Sequence, residues 1–209
     1  MNSILRRRRA LMGHHVPTES WDFQWDYTQG KLESQTEWES VVSGTASSAL
    51  TASGETFSTG ATGSDYYIVR PQSSSPLRTM TGGIGVMEAV INGDISATSY
   101  NENFEIRAVE SSSKRIGTLI YYMDVLTPPK IAIQDSQFTT IAPFPNNTDC
   151  TIRIEMKGTG ADVYVDGVKK LSNFSLTASL YGTYNGILAL GLGSNSIMLK
   201  SLKMKVGRL

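Results

Sequence analysis

Apolar and polar residues alternate with a period of two along most of this 209-residue chain, and this pattern restricts the fold more than any other feature. In 151–157, TIRIEMK, the apolar residues Ile152, Ile154 and Met156 alternate with charged ones. Successive side chains of a strand point to opposite faces, so this pattern predicts a half-buried β-strand. The alternation begins at 21–27, WDFQWDY, and recurs in five further segments: 65–70, 85–91, 103–109, 117–123 and 130–134.

The sharpest local signal is a hairpin within 161–171, ADVYVDGVKKL. Asp166-Gly167 separates two strand-like runs, and this dipeptide readily adopts the positive φ angles that a tight primed turn requires. A later segment, 186–193, is continuously apolar, which is typical of a strand covered on both faces. Many short strands, frequent turns and helical patterning only near the N-terminus predict an all-β fold, an antiparallel two-sheet jelly-roll sandwich.

The charge balance argues against several classes of partner. Nineteen basic and nineteen acidic side chains cancel, so no overall field draws the folded domain to DNA or to an anionic membrane. No stretch reaches the about eighteen apolar residues of a membrane span, and the segment after the arginines is too short and polar for a signal-peptide core. The single cysteine, Cys150, excludes an internal disulfide. We expect a soluble protein with neither a membrane nor a nucleic acid as partner.

The N-terminal segment 1–16 is predicted to be a separate basic helical arm, and the sandwich to occupy 17–209. Ser3 is a suitable N-cap, and Gly13 a suitable stop, for a helix over 3–12. So short a helix is marginal on its own in water and gains its order by docking, either on the following domain or on a second molecule. A basic arm that reaches DNA is a weaker alternative. The predicted anchor residues are Ile4, Leu5, Arg6, Arg7, Arg8, Arg9, Leu11 and Met12.

The C-terminal half carries a family resemblance. The runs CTIRIEMKGTGADVYVDGVKKL and NGILALGLGSNSIMLKSLKMKVG resemble the same part of concanavalin A-like sandwiches, which include laminin-G-like modules, legume-type lectins and family 16 glycoside hydrolases. The resemblance covers roughly residues 83–207. It implies a lectin-like sandwich whose closing strand pairs beside the N-terminal strand, but it does not specify an activity.

The N-terminal part resembles a different group of proteins. ILRRRRALMG, followed by WDFQWDYTQGKLESQTEWE, looks like the beginnings of structural proteins encoded by gut bacteriophages and prophages. That resemblance implies a virion component, such as a capsid decoration, head-fibre or tail protein, present in the host cytoplasm before assembly. The implied partners are other virion proteins, further copies of the chain in a homo-oligomer or multicopy assembly, and surface glycans.

The family 16 resemblance raises the question of catalysis at 105–110, EIRAVE. Retaining enzymes of that family carry a Glu-x-Asp-x-x-Glu strand, and retention requires two carboxyl groups roughly 5 to 5.5 Å apart. Glu105 and Glu110 match the spacing, but Arg107 stands where the family has Asp, and its charge would disable the general acid. Regular alternation also turns the two glutamates to opposite faces. We therefore interpret these residues as solvent-facing strand charges and expect no catalytic residue.

Other constellations that carry chemistry are missing from the sequence. The only histidines, His14 and His15, are adjacent, which argues against a Ser-His-Asp triad and against a histidine-rich zinc site. Calcium, which some members of the superfamily bind, needs several converging oxygen ligands. The candidate ligands, which are scattered along the chain, are Asp94, Asp135, Asp162 and Asp166. We therefore expect neither calcium nor another cofactor.

Glycan contact requires only a sheet or loop rim with aromatic platforms and a few polar groups. The candidates are Tyr66, Tyr121, Tyr181 and Tyr184, and in each Tyr-Tyr pair we expect one ring to face the core and the other to face outward. The sequence thus predicts a non-enzymatic virion structural protein with a lectin-like sandwich. The alternative is a stand-alone carbohydrate-binding protein or a degenerate family-16-like hydrolase.

Overall fold

Fifteen β-strands and four short 3-10 helices make up the described part of the computed structural model, which comprises residues 19–60, 62, 64–95, 102–111, 114–122, 129–134, 138–176, 184–193 and 195–209. The strands are β1 (Phe23–Asp26), β2 (Trp38–Ser43), β3 (Ser47–Thr51), β4 (Gly54–Ser58), β5 (Tyr66–Pro71), β6 (Ile84–Asp94), β7 (Glu102–Ser111), β8 (Lys114–Tyr122), β9 (Lys130–Gln134), β10 (Phe138–Pro143), β11 (Cys150–Lys157), β12 (Gly160–Val165), β13 (Val168–Ser175), β14 (Gly186–Leu190) and β15 (Ser196–Val206). The 3-10 helices are Tyr27–Gln29, Leu32–Ser34, Pro76–Arg78 and Thr81–Gly83.

The strands form two antiparallel sheets packed as a sandwich. Sheet 1 has the order β13-β12-β11-β6-β15-β4-β3, with β1 also paired to β15, and sheet 2 has the order β10-β9-β8-β7-β14-β5-β2. Every described strand pair is antiparallel. The closing strand β15 lies beside the N-terminal β1, as the family resemblance implied. The predicted all-β, two-sheet antiparallel sandwich is confirmed.

Alternate residues of the strands build the core between the two sheets. In β11, Ile152, Ile154 and Met156 are completely buried, whereas Arg153 and Glu155 are only half-buried on the outer side. Strand β14 lies between β5 and β7 and is buried at four of its five positions, as its continuous apolar sequence predicted. The hydrophobic pattern therefore assigns the faces of β11 and the burial of β14 correctly.

The predicted Asp166-Gly167 hairpin joins β12 to β13. Asp166 and Gly167 have φ angles of 50° and 74°, the left-handed values that a primed turn needs. The Asp166 carboxylate also accepts the Thr151 N–H at 2.8 Å, which ties the turn to the first position after Cys150. The turn is thus stabilised both by its backbone preference and by a bond to the adjacent strand.

The first strand is shorter than the alternation in 21–27 predicted. Strand β1 ends at Asp26, and the chain continues into the 3-10 helix Tyr27–Gln29. The Asp26 carboxylate accepts the Thr28 N–H at 2.9 Å and so begins this helix. A local cap therefore overrides the strand pattern at its C-terminal end.

The predicted arm over 1–16, with all its proposed anchor residues, lies outside the described residues. In the described part of the chain, no helix is both long enough and apolar enough to cross a membrane.

Candidate functional site

The outer face of sheet 2 carries a half-exposed strip along β5. Tyr67 and Val69 point into the core, whereas Tyr66, Ile68 and Arg70 lie half-buried on the opposite side of the strand. Alternation thus separates the Tyr66-Tyr67 pair, as predicted, into one inward and one outward ring. Tyr66 is therefore available as an aromatic platform on the surface of the sandwich.

Neighbouring strands widen this strip. In the sheet register Tyr66 stands opposite Ser43 of β2 and Leu190 of β14, and Arg70 stands opposite Glu39 of β2. From Tyr66 to Arg70 the strip is about 13 Å long, with apolar groups along its middle and charges at one end. We call the following half-buried residues the β5 surface: Tyr66, Ile68 and Arg70, with Glu39, Val41 and Leu190.

Two guanidinium groups converge on one carboxylate at the charged end of the β5 surface. Arg70 donates from Nε to Glu39 Oε1 at 2.8 Å, and Arg78 donates from Nη1 to the same oxygen at 3.4 Å. The side chains of Arg70, Arg78 and Glu39 are 25%, 17% and 37% exposed, so solvent reaches all three. Burial and the neighbouring Arg70 charge lower the pKa of Arg78 below its ordinary value. The two positive charges are therefore held close together in a partly desolvated position.

Tyr184 lies beneath these arginines. The guanidinium carbons of Arg70, Arg78 and Arg107 are 5.2, 5.3 and 4.8 Å from the centroid of its ring, within the range of cation–π attraction. The residue is only 2% exposed, and burial raises the pKa of its hydroxyl above the ordinary value. Tyr184, which the sequence singled out as a glycan contact, thus supports the guanidinium groups and does not present a ring face at the surface.

Asn185 fixes the 3-10 helix that ends at Arg78. Its N–H donates to Arg78 O at 2.8 Å, its Nδ2 donates to Leu77 O at 2.8 Å, and its Oδ1 accepts the Val109 N–H at 2.7 Å. The side chain of Arg78 also donates to Pro71 O at the end of β5. Both the backbone and the guanidinium of Arg78 are therefore held in place at the end of the 3-10 helix Pro76–Arg78.

A buried charged cluster lies beside the β5 surface on the same outer face. Arg107 donates to the Glu105 carboxylate at 3.2 and 2.6 Å, and Arg115 donates to it at 3.1 Å. Burial alone would lower the pKa of Arg107, but the Glu105 charge outweighs it, so the pKa of Arg107 is raised. A Cβ atom on Gly117 would lie 1.9 Å from Glu105 Oε1, so the carboxylate fits only because this position is glycine.

The interpretation of 105–110 as solvent-facing charges is wrong for Glu105 and Arg107, which are 1% and 0% exposed. The sequence could not show that the outer face of sheet 2 is buried at β7. Alternation indicates which residues share a face of a strand, but it does not indicate whether that face is buried or exposed to solvent. Glu110 is half-buried and lies at a register shift between Val109 and Ser111. Such a bulge interrupts the regular alternation that the sequence predicts for this strand.

The remaining tyrosine candidates are only partly described. Tyr121 belongs to β8 and pairs with Asn103 and Lys130, in the same lateral row of sheet 2 as Tyr66, but its side chain lies outside the described residues. Tyr181 lies wholly outside them.

The sequence did not indicate Arg70, Arg78 and Glu39, because their contact depends on the long-range pairing of β2 with β5. The alternation of Tyr66 and Arg70 on one strand face is the signal that could have indicated part of this site.

No group of three or more potential metal ligands forms among the described residues. Asp162 accepts from Lys157 and Lys169 at 2.6 Å each, and Asp166 accepts the Thr151 N–H. Asp135 lies outside the described residues.

Cys150 is buried, and burial raises the pKa of its thiol to about 12, so the thiol is unreactive at neutral pH.

Several solved structures share the β-sandwich fold of this chain. A putative β-glucanase from Mycobacterium abscessus superposes with a TM-score of 0.59 at 11% identity, covering 89% of this chain and all of the other. The carbohydrate-binding module CBM66 from Bacillus subtilis gives a TM-score of 0.50 at 12% identity, covering 82% and 97%. A sialidase gives 0.61 at 11% identity over 88% of this chain, which spans only 18% of the sialidase.

These identities establish a shared fold alone. No known protein-family profile matches the chain, and no curated protein sequence matches it. The neighbours give no support to the predicted bacteriophage origin or virion role, which therefore stay predictions. The functions in the neighbours' names belong to those proteins, and a carbohydrate-binding or glycoside hydrolase-like role for this chain stays the alternative prediction.

Proposed function

We propose that this chain is a non-catalytic carbohydrate-binding module whose ligand docks on the β5 surface. The observation that carries this proposal is the half-exposed strip in which the Tyr66 ring and the apolar side chain of Ile68 lead to the charged pair Arg70 and Glu39. A sugar ring has an apolar face that packs on an aromatic ring and hydroxyl groups that exchange hydrogen bonds with charged side chains. The strip offers an aromatic ring and charged hydrogen-bonding groups within about 13 Å, a distance that a short oligosaccharide spans.

The fold comparison supports the same function. CBM66, which is named a carbohydrate-binding module, is covered over 97% of its length by this chain. Binding modules of this size need no catalytic group, only a preformed surface with a few placed polar atoms.

The buried cluster supports the non-catalytic part of the proposal. A general acid must give up a proton to its substrate and a nucleophile must reach the sugar, whereas the Glu105 carboxylate is bonded by Arg107 and Arg115 and is 1% exposed. Arg107 also stands where a family 16 enzyme has its central Asp. Because Glu105 is buried and bonded by two arginines, it is poorly suited to form with Glu110 the accessible carboxyl pair that glycoside hydrolysis needs.

The test is direct binding with matched variants. The full chain is screened on an array of soluble neutral and acidic oligosaccharides, and the best array ligand is titrated by calorimetry. Tyr66→Ala should weaken that affinity about tenfold or more, because the stacking platform is removed. Tyr164→Ala is the control, since Tyr164 is a half-buried tyrosine on the outer face of sheet 1.

Two results would contradict the proposal. Equal weakening by Tyr164→Ala and Tyr66→Ala would show that the β5 surface is not the docking site. Release of reducing ends from the bound oligosaccharide by the wild-type chain, abolished in Glu105→Gln, would show that the protein is a hydrolase.

A further inference from the structure

The charged end of the β5 surface holds two positive groups against one negative group. Among the described residues that bond there, Glu39 Oε1 is shared by Arg70 and Arg78. Glu39 is the most exposed of the three, with 37% of its side chain open to solvent, and it lies on β2, one of the two edge strands of sheet 2 among the described residues. The carboxylate is thus the member of the set that solvent or a ligand can most easily replace.

The two guanidinium groups are held in place from several directions. Arg70 is fixed by its place in β5, and Arg78 by its bond to Pro71 O and by the Asn185 contacts to its 3-10 helix. Both stack over the buried Tyr184 ring. Ordered guanidinium groups lose little side-chain entropy on binding, and their planar donors match a carboxylate better than an ammonium does.

We propose that the β5 surface selects a glycan that carries a carboxylate, with the sugar ring on Tyr66 and the carboxylate bonded to Arg70 and Arg78. The inference rests on the proposed binding function and specifies its ligand class. Glu39 shows that a carboxylate oxygen fits between the two guanidinium groups, at 2.8 and 3.4 Å. A ligand carboxylate takes over these donors, and Glu39 turns toward solvent.

The experiment compares ligands that differ only in charge. A trimer of galacturonate is titrated beside its methyl ester, and sialyllactose beside lactose, so that a uronate and a sialic acid source of the carboxylate are distinguished. For at least one pair, the acidic member should bind about tenfold or more tightly than its neutral partner, and the difference should shrink at high ionic strength.

Two variants should move the affinity for the acidic ligand in opposite directions. Arg70→Gln removes a donor and should weaken binding about tenfold, whereas Glu39→Gln removes the competing carboxylate and should strengthen it several-fold. Arg208→Gln removes an exposed arginine paired with Asp22 elsewhere on the molecule and should leave the affinity unchanged. Circular dichroism verifies that each variant is folded.

The outcomes separate this inference from the function on which it rests. If neutral and acidic partners bind equally and both depend on Tyr66, the binding function stands and the selection for a carboxylate is overturned. If Glu39→Gln weakens acidic binding as much as Arg70→Gln does, the three residues are a structural unit and the inference is overturned. If no oligosaccharide on the array or in these pairs binds, both proposals fail.

Discussion

Asn185 is a single residue on which the position of Arg78 depends. It is completely buried, and its side chain joins Leu77 O to the Val109 N–H at 2.8 and 2.7 Å. Asn185→Ala leaves both backbone groups buried without a partner, and we expect a loss of about 2–5 kcal/mol in the free energy of unfolding. Urea denaturation measures it. Gln24→Ala, which truncates an exposed side chain on β1, should stay within about 0.5 kcal/mol of wild type.

Glu55 is a residue whose charge opposes folding. Its carboxylate accepts the Leu32 N–H at 2.8 Å, but Oε1 is buried without a hydrogen bond among the described residues. Burial raises the pKa of Glu55 above its unfolded value of 4.5, so the stabilising contribution is complete below about pH 4.5 and is lost as pH rises through the folded pKa.

Replacing Glu55 tests this sign. Glu55→Gln removes the charge and keeps an acceptor for the Leu32 N–H, so the variant should melt at a higher temperature than wild type at neutral pH. The gain should disappear near pH 3.5, where wild-type Glu55 is protonated as well. Calorimetric melting at the two pH values measures the difference, and a gain of equal size at both would contradict a charge effect.

At the scale of an element, the β12–β13 hairpin depends on Asp162 as well as on its turn. Asp162 accepts from Lys157 and Lys169 and also accepts the Asn173 N–H at 2.8 Å, where β13 has a positive φ at Asn173 and an irregular register. These hydrogen bonds lower the pKa of Asp162 well below its usual range. The carboxylate thus joins β12 to β13 at a position where the strand register is interrupted.

We expect Asp162→Ala to lower the free energy of unfolding by about 1–3 kcal/mol at neutral pH, because the part-buried hydrogen bond from the Asn173 N–H is lost while both lysines remain solvated. Hydrogen exchange should show faster exchange across β13 than in wild type. Asp94→Ala, at the exposed end of β6, is the control. If β13 exchanged equally in both variants, Asp162 would not be the group that orders the hairpin.

The elements that the sequence predicted well are those whose signal is local. The Asp166-Gly167 turn and the alternation of Ile152, Ile154 and Met156 depend only on near neighbours, and the structure confirms them. The candidate site depends instead on which strands pair. Arg70 meets Glu39 because β5 pairs with β2, 31 residues away, and no pattern within either segment specifies that register.

At the scale of the whole molecule, the two outer faces of the sandwich differ in character. On sheet 1 the charges of neighbouring strands are paired across the register: Arg153 bonds Glu88 and Glu155, and Lys203 bonds Glu88. Glu19 bonds Arg153 and Lys205 and so fastens the segment before β1 to this face. The β5 surface lies on sheet 2. The ion pairs of Glu19 and the proposed binding surface therefore lie on opposite faces of the sandwich.

The paired charges of sheet 1 make the stability of the whole molecule sensitive to acid. Hydrogen bonds from Arg153 and Lys205 lower the pKa of Glu19 to about 2, and those from Asn92 and Lys200 lower the pKa of Asp149. A carboxyl group whose pKa is lower in the folded than in the unfolded state stabilises the fold at pH values above its unfolded pKa, which is 4.5 for Glu19 and 3.8 for Asp149. That stabilisation is lost as the pH falls toward the folded pKa. Asp162 acts in the same direction, whereas Glu55 acts in the opposite one.

Among the described residues, four carboxyl groups with a lowered pKa, Glu33 included, outnumber the one with a raised pKa, so the melting temperature should fall between about pH 5 and about pH 2. Glu19→Gln should melt lower than wild type at neutral pH and should lose less on acidification, because the group that titrates is gone. Added salt should narrow the difference, since Glu19 is 39% exposed and its ion pairs are screened. A melting temperature that stayed constant over this range in the wild type would show that the ion pairs of sheet 1 do not support the fold, and that the sandwich depends on its apolar core alone.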